Sequence, residues 1–484
     1  MHVIEFESLR GNKYIYDIST NTIWPYPPIF QKILYLYPSR SKEAIVRLLS
    51  DKYDIDDLNN FYDLADNLIR KYKAFFVNPG EIKNIASFDL SIEEFENSIA
   101  NIKHLILEVT EKCNLRCSYC LYSGKYDSYR THGGRSMDFN TAKRALDYFL
   151  GIVKSEKRTR KFGTIHINFY GGEPLLNFPL IKKCVDYIEA ERRNKIRDRI
   201  LYSITTNGTL LNEETIDYIM DHKFALAISL DGPREEHDKN RRFPDGRGSF
   251  EIVYNNLLRV LERNPEYSRN ITLTLTYSYN HDLRKIAEFF MKYIPFENIN
   301  FRISPVRDEN LLPLIPKRFL NSYREILKEY QIFLSRGKKD KKYHFLSSFF
   351  KNIYKPLYDK HFFTGIKRSY YSSVCKIENF RLFVSVDGLL HICERINNHF
   401  SIGDVEKGII YQKVKKIYDA YYKQVVAHCP LCPAINVCSV CPSFVGAKGH
   451  FISDQYCKRE RRKLKDMLIT YVSLNETNNN LLFY

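Results

Sequence analysis

From residue 104 to about residue 335 the chain repeats one pattern: a short apolar run, then a longer stretch with apolar residues every third or fourth position. The apolar runs are HLILEVT, TIHINFY, LYSITTN, FALAISL, ITLTLTY and INFRIS. Their β-branched and aromatic content predicts strands. Stretches such as FNTAKRALDYFLGIV, LIKKCVDYIEAERR and NEETIDYIMDH carry the helical period. Repeated β-then-α units predict a parallel sheet with right-handed crossovers: an α/β fold, a partial (β/α)6 TIM-like barrel. Functional groups then belong at the C-terminal ends of the strands.

The flanking segments read differently. In residues 1–80, VIEFES and KYIYDIST alternate apolar and polar residues around a GN turn, which predicts a hairpin. Helical patterns follow at IFQKILYLY, KEAIVRLLSDKY and LNNFYDLADNLIRKYKAFF, so this end reads as a small winged-helix-like α+β domain. Residues 81–103 read as a linker and 104–335 as the barrel. The basic, aromatic stretch 336–374 reads as a connector, and 375–484 as a small cysteine-rich domain with an Asn-rich tail.

Composition narrows the class. Hydrophobic residues at 44% and charged residues at 27% exclude collagen-like and disordered chains. No stretch approaches the roughly 18 uncharged apolar residues of a membrane helix. The charged N-terminus MHVIEFESLRGNKY lacks the apolar run of a signal peptide, so a cytoplasmic protein is expected. The net charge of +17 favours an acidic partner, although solvated lysines explain it equally well. A reducing cytosol makes clustered cysteines metal ligands rather than disulfides. Of the eleven, three fall at Cys113, Cys117 and Cys120, seven between Cys375 and Cys457, and Cys184 stands alone in a helical pattern as an expected core thiol.

Each candidate motif follows a strand directly. CNLRCSYC (C-x3-C-x2-C) follows HLILEVT, and GGEP (Gly171–Pro174) follows TIHINFY. TTNG (Thr205–Gly208) ends the third strand and SLDGP (Ser229–Pro233) the fourth. Three thiolates on one short loop can hold three corners of a cubane and leave one iron without a protein ligand. A zinc loop competes with that reading, but zinc normally takes four ligands and no nearby fourth is evident. With these motifs in this order, the chain resembles the radical S-adenosylmethionine (SAM) enzymes. The resemblance implies that Cys113, Cys117 and Cys120 ligate a 4Fe-4S cluster whose open iron chelates SAM. Reductive cleavage then gives methionine and a 5′-deoxyadenosyl radical. It further implies SAM contacts at Tyr119, Gly171, Gly172, Glu173, Thr205, Asn207, Ser229 and Arg241, the last by analogy with sulfatase-maturing enzymes.

The later cysteines run Cys375, Cys393, then Cys429-x2-Cys432-x5-Cys438-x2-Cys441, then Cys457. A zinc ribbon at 429–441 is the structural alternative. The pattern resembles the SPASM extension of peptide-modifying radical SAM enzymes, which binds two auxiliary 4Fe-4S clusters. The resemblance assigns Cys429, Cys432, Cys438 and Cys457 to one cluster and Cys375, Cys393 and Cys441 to the other. The family usually has three residues before the last cysteine of the block, whereas this chain has two. With no eighth cysteine nearby, the second cluster has an open iron or a non-cysteine ligand. Glu394, next to Cys393, is the candidate catalytic base, with a second-shell hydrogen-bond acceptor as the competing role. Residues 1–80 resemble a RiPP recognition element, a binder of leader peptides, with a DNA-binding winged helix as the rival.

Taken together, the resemblance implies a radical SAM oxidoreductase that matures a ribosomally made peptide by thioether formation. Its partners would be a precursor peptide with a leader and an electron donor such as flavodoxin or ferredoxin, with neither membrane nor nucleic acid. Carbon–carbon or cyclophane crosslinking and formylglycine formation are the alternatives within the class. An iron–sulfur regulator that binds nucleic acid is the alternative outside it.

Overall fold

The computed structural model describes residues 3–76, 88, 90–125, 131–159, 163–192, 196, 198–294, 298–306, 316–336, 340–358, 375, 377–395, 398–429, 432–442 and 454–476. The N-terminal unit is an antiparallel sheet of β1 (Val3–Glu7), β2 (Lys13–Asp17) and β3 (Thr22–Pro25). Over it pack α1 (Pro28–Leu36), α2 (Lys42–Leu49) and α3 (Ile55–Tyr72). Ile15, Phe30, Ile33, Leu58 and Phe75 form a core separate from the main one. Asp54 caps α3 by accepting from the backbone N–H groups of Asp56 and Asp57. The short TIWP run of β3 ends in proline, so the hairpin reading had missed a third strand.

The segment read as a linker holds α4 (Ile92–Ile99), opened by a Ser91/Glu94 capping box. The barrel follows in order: β4 (His104–Thr110), α5 (Phe139–Lys154), β5 (Thr164–Gly171), α6 (Phe178–Arg192), β6 (Arg199–Thr206), α7 (Glu213–Asp221), β7 (Ala225–Ser229), α8 (Arg234–His237), α9 (Phe250–Arg263), β8 (Ile271–Tyr277), α10 (Leu283–Tyr293), β9 (Asn300–Pro305) and α11 (Lys317–Ser335). The six predicted strands are all present, adjacent and parallel. Alternation decides the faces. Ile165, Ile167 and Phe169 of β5 are fully buried in the core they share with Leu146, Phe149, Ile181 and Val185 of the helices. The intervening His166, Asn168 and Tyr170 are half-buried on the other, concave face.

The segment read as a connector forms α12 (His344–Tyr358), whose Phe345 stacks on Phe290 of α10 at 4.8 Å between ring centroids. It is therefore part of the barrel's coat. The C-terminal region then contributes β10 (Arg381–Val384), β11 (Leu389–His391), β12 (Gly403–Asp404), β13 (Gly408–Ile409), α13 (Tyr411–His428) and α14 (Asp454–Asn475). β10 pairs in parallel with β4, Arg381 opposite His104 and Val384 opposite Leu107, so among the described residues the main sheet has ten strands. Among the described residues, no helix is long and apolar enough to cross a membrane.

Candidate active site

The end of β4 leads straight into the first cysteine loop. Two backbone hydrogen bonds pin that loop to the segment after α8: Arg116 N–H donates to the carbonyl of Arg242 at 2.7 Å, and Ser118 N–H to that of Asn240 at 2.9 Å. Glycine is required where the next strand end meets it. A Cβ on Gly171 would stand 2.2 Å from the carbonyl oxygen of Thr110, and one on Gly172 would stand 2.3 Å from that of Lys112. The close approach lets Gly172 and Glu173 donate their N–H groups to those same carbonyls, at 2.9 and 2.8 Å.

Glu173 is wholly buried. Its carboxylate accepts from Thr206 Oγ1 at 2.7 Å, Asn207 N–H at 2.7 Å and Leu175 N–H at 3.1 Å, which ties the end of β5 to the end of β6. Burial pushes its pKa up to about 7, against the pull of those three donors. Asn207 Nδ2 donates to Asn114 Oδ1 at 2.8 Å and lies 3.9 Å from Cys113 Sγ. Thr205 is half-buried on the concave face, and Ser229 at the end of β7 accepts from Thr274 Oγ1 at 3.2 Å.

Asp231 is the residue that the motif reading left unassigned, although SLDGP contains it. Its buried carboxylate accepts from Thr276 N–H at 2.9 Å, from Arg241 Nε at 2.9 Å and from the Tyr119 hydroxyl. Arg241 stacks over the Tyr119 ring at 5.4 Å and brings Nη1 within 3.9 Å of Cys117 Sγ. Burial opposes the arginine's charge, but Asp231, Tyr119 and Cys117 together outweigh it and hold the pKa above its ordinary value. Behind this pair, His237 Nδ1 accepts from Asp231 N–H at 3.2 Å, and its other nitrogen meets Ser249 Oγ at 3.0 Å. Ser249 Oγ donates to the Arg241 carbonyl at 2.9 Å. Burial drives the pKa of His237 down to about 3, which suits a neutral ring that accepts at Nδ1. None of these supporting residues has a short-range signature; only the folded chain brings them together.

Cys113, Cys117 and Cys120 lie close enough that the negative charge of one opposes ionisation of the next. Burial is the larger cause and raises Cys113 to about 12 and Cys117 to about 11. The N–H groups of Leu115 and Tyr122 point at Cys113 Sγ and Cys120 Sγ, each at 3.4 Å. Thiols of this kind become thiolates when a metal supplies positive charge. Three sulfurs with amide donors suit an iron–sulfur cluster. Among the described residues, no three His, Cys, Asp or Glu side chains close round a single ion.

The later cysteines separate into two groups. Cys375 and Cys393 both feel Cys441, while Cys429 feels Cys438, Cys432 and Cys457. Arg461 hydrogen-bonds to Cys432 and is raised by it. Glu394 is buried beside Cys393, and its Oε1 accepts from Arg381 at 2.6 Å. Cys184 is wholly buried in the main core.

Residues 107–290 match the family model of the radical SAM superfamily. A protein of Methanocaldococcus jannaschii whose function is uncharacterised is 34% identical over 256 residues, covering 52% of this chain and 80% of its own length. The chain belongs to the radical SAM superfamily. Membership implies SAM and a 4Fe-4S cluster, and the three thiols after β4 fit that group. This radical SAM protein is also 30% identical to a cysteine-type anaerobic sulfatase-maturating enzyme of Clostridium novyi, over 49% of its own chain and 58% of the relative. Its fold is shared by the solved structure of anSMEcpe with bound AdoMet and Cp18Cys peptide (TM-score 0.55, 18% identity, 78% of this chain and 98% of that one).

Proposed function

We propose that this radical SAM protein matures a ribosomally made peptide by joining a cysteine sulfur to an unactivated carbon. The observation that carries this is the division of the later cysteines into a group of four and a group of three. All eleven cysteines are accounted for, so the group of three has no eighth thiol to complete it. An iron site lacking a chain thiolate favours the thiolate of a substrate cysteine, because such clusters prefer sulfur ligands. Two auxiliary 4Fe-4S clusters belong to this reading, as does the SAM-binding cluster on Cys113, Cys117 and Cys120. When bound, SAM and its cluster would supply a radical able to take hydrogen from carbon, and an auxiliary cluster would accept the electron left over as the thiolate, its proton lost, closes the carbon–sulfur bond.

The residues of the chain position and enclose. Arg241, held by Asp231 and stacked on Tyr119, presents a fixed guanidinium for the SAM carboxylate. Gly171, Gly172 and the Glu173 network shape the loop for its amino group. Thr205, Asn207 and Ser229 line the same rim for the ribose and methionine. Glu394 is placed to hold Arg381 and to accept a substrate proton. Residues 1–80 are the leader-binding unit, in which an exposed strand edge can take up a peptide. Flavodoxin or ferredoxin is the proposed electron source.

The relative from C. novyi matures sulfatases, which makes oxidation of a cysteine side chain the second reading. Co-expression with a short cysteine-bearing open reading frame beside the gene separates the two. A mass loss of about two daltons that fragmentation places across a cysteine bears out the thioether. A loss carried by a single residue, or by two carbons, rejects it.

A further inference from the structure

The concave wall carries a charge that the SAM site does not use. In the sheet register Ser229 pairs with Thr274, and Thr274 pairs with Arg302, so the three stand in one row across β7, β8 and β9. At the usual strand spacing Arg302 is about 10 Å from Ser229 across the sheet. The Arg302 side chain is exposed, yet desolvation is the first cause of its lowered pKa and Arg381 the second. Ile303, the next residue, turns into the helix-side core, so Arg302 faces the concave side. Arg381 opens β10 on the far side of the sheet from β9, and Arg395 also bears on Arg302.

Two guanidinium groups, those of Arg381 and Arg395, converge on one carboxylate, Glu394, and Arg302 stands near enough to feel all three. That carboxylate is already engaged: its Oε1 accepts from Arg381 at 2.6 Å and lies 3.6 Å from Arg395 Nε. Among the described residues Arg302 has no ion-pair partner. Nearby His104 adds no positive charge, since burial, His166, Arg381 and Arg302 press its pKa down to about 4. The interior is left with an excess of fixed positive charge beside the reacting region. An arginine fork is matched to a carboxylate in shape as well as charge.

We propose that Arg302, supported by Arg381, receives a carboxylate of the substrate peptide and so fixes which residue stands beside the site. The proposal rests on the reading of the chain as a peptide-modifying enzyme. The carboxylate has two possible sources, an acidic side chain or the peptide's own C-terminus.

The test uses full-length protein, reconstituted anaerobically with iron and sulfide and saturated with SAM. It is titrated with three fluorescein-labelled hexapeptide pools. One is amidated with a fixed Asp, one is amidated with Asn in its place, and one is that Asn pool as the free acid. One of the two carboxylate pools is expected to bind about tenfold tighter than the amidated Asn pool. Preference for the Asp pool marks a side chain, and preference for the free acid marks the C-terminus. Arg302→Gln should bring the ratio to near one, and Arg302→Lys should keep part of it. Lys407→Gln, which removes the same charge from an exposed turn, should leave the ratio unchanged.

A ratio near one in the wild type would overturn the proposal, as would a ratio that survives both Arg302→Gln and Arg381→Gln. Weaker SAM binding by Arg302→Gln with an unchanged peptide ratio would also overturn it. Release of 5′-deoxyadenosine by the same wild-type preparation keeps the two readings apart. Release without a carboxylate preference sinks the receptor alone, whereas no release sinks the maturase reading beneath it.

Discussion

The loop of Cys113, Cys117 and Cys120 and the later cysteine groups reach similar chemistry by different construction. The first loop is fixed by the polypeptide. Strand ends of β5, β6 and β7 reach it through Glu173, Asn207 and Asp231, and two backbone bonds dock it on residues 240–242. The later groups lie on loops and at helix ends, packed by aromatic rings. Tyr418 sits beside Cys375, donating to its carbonyl at 2.5 Å, and Tyr456 hydrogen-bonds to Cys438. Phe88 and Phe95, from the segment read as a linker, pack against Tyr411 of α13. On the proposed reading, the first site is organised before its metal arrives, whereas the auxiliary sites would depend on metal to draw their sulfurs together.

Chelation of iron should expose that difference most strongly, because binding free energies of structural metal sites run to about 10 kcal/mol. Limited proteolysis mapped by mass spectrometry should then cut residues 375–457 well before the 104–294 barrel. Earlier or equal cutting at 113–120 would break the comparison. Next in size, Asp231→Asn should cost about 3–5 kcal/mol of stability, because it leaves the buried Arg241 charge without its partner. SAM affinity should fall with it. An effect no larger than that of exposed Asp454→Asn would mean that the loop is not organised as described.

His237 gives a pH dependence confined to the first site. Burial holds its folded pKa near 3, against 6.5 when unfolded. The unfolded chain therefore takes up the proton first, so this contribution is complete above pH 6.5 and is lost as pH falls toward 3. Between pH 7 and pH 5 the loss should be about 2 kcal/mol, read from urea midpoints. His237→Gln should shrink the wild-type loss by that amount, leaving the share of other buried histidines such as His104; an undiminished loss would mean that the ring is not its source. The smallest effect concerns the seam with the N-terminal unit. Asn436 Nδ2 donates to the Ile18 carbonyl at 2.5 Å, and Asn436→Ala should cost about 1 kcal/mol. Calorimetry that shows no change would detach β2 from the cysteine block.

The barrel was legible because its strands carry a local signal, and each motif sits within a few residues of a strand end. HLILEVT and ITLTLTY coincide with β4 and β8 residue for residue. Long-range roles were not legible. The run Asp17–Thr20 reads as the end of a hairpin strand with alternating apolar and polar positions, yet all six residues of Asp17–Thr22 are at most 2% exposed. Asn21 donates to the Leu357 carbonyl, and Asp17 accepts from Phe75 N–H. Nothing in that run's composition signals a buried seam. In the C-terminal region, FRLFVSV and LLHIC flank a DG turn and fold as β10 and β11, but four- and three-residue strands fall below the length at which periodicity decides, so neither was expected. His237 and Ser249 act through partners six to twelve residues away and Asn240 through Ser118, 122 residues away, spacings that no local pattern signals.

The central claim is that the loop after β4 holds a cluster that cleaves SAM. Anaerobically reconstituted full-length protein, reduced with dithionite in the presence of SAM, should release 5′-deoxyadenosine and methionine in equal amounts by mass spectrometry. The same preparation of Cys117→Ala should release neither. Unchanged release from that variant, or none from a wild type that carries zinc on those three thiols, would contradict the account.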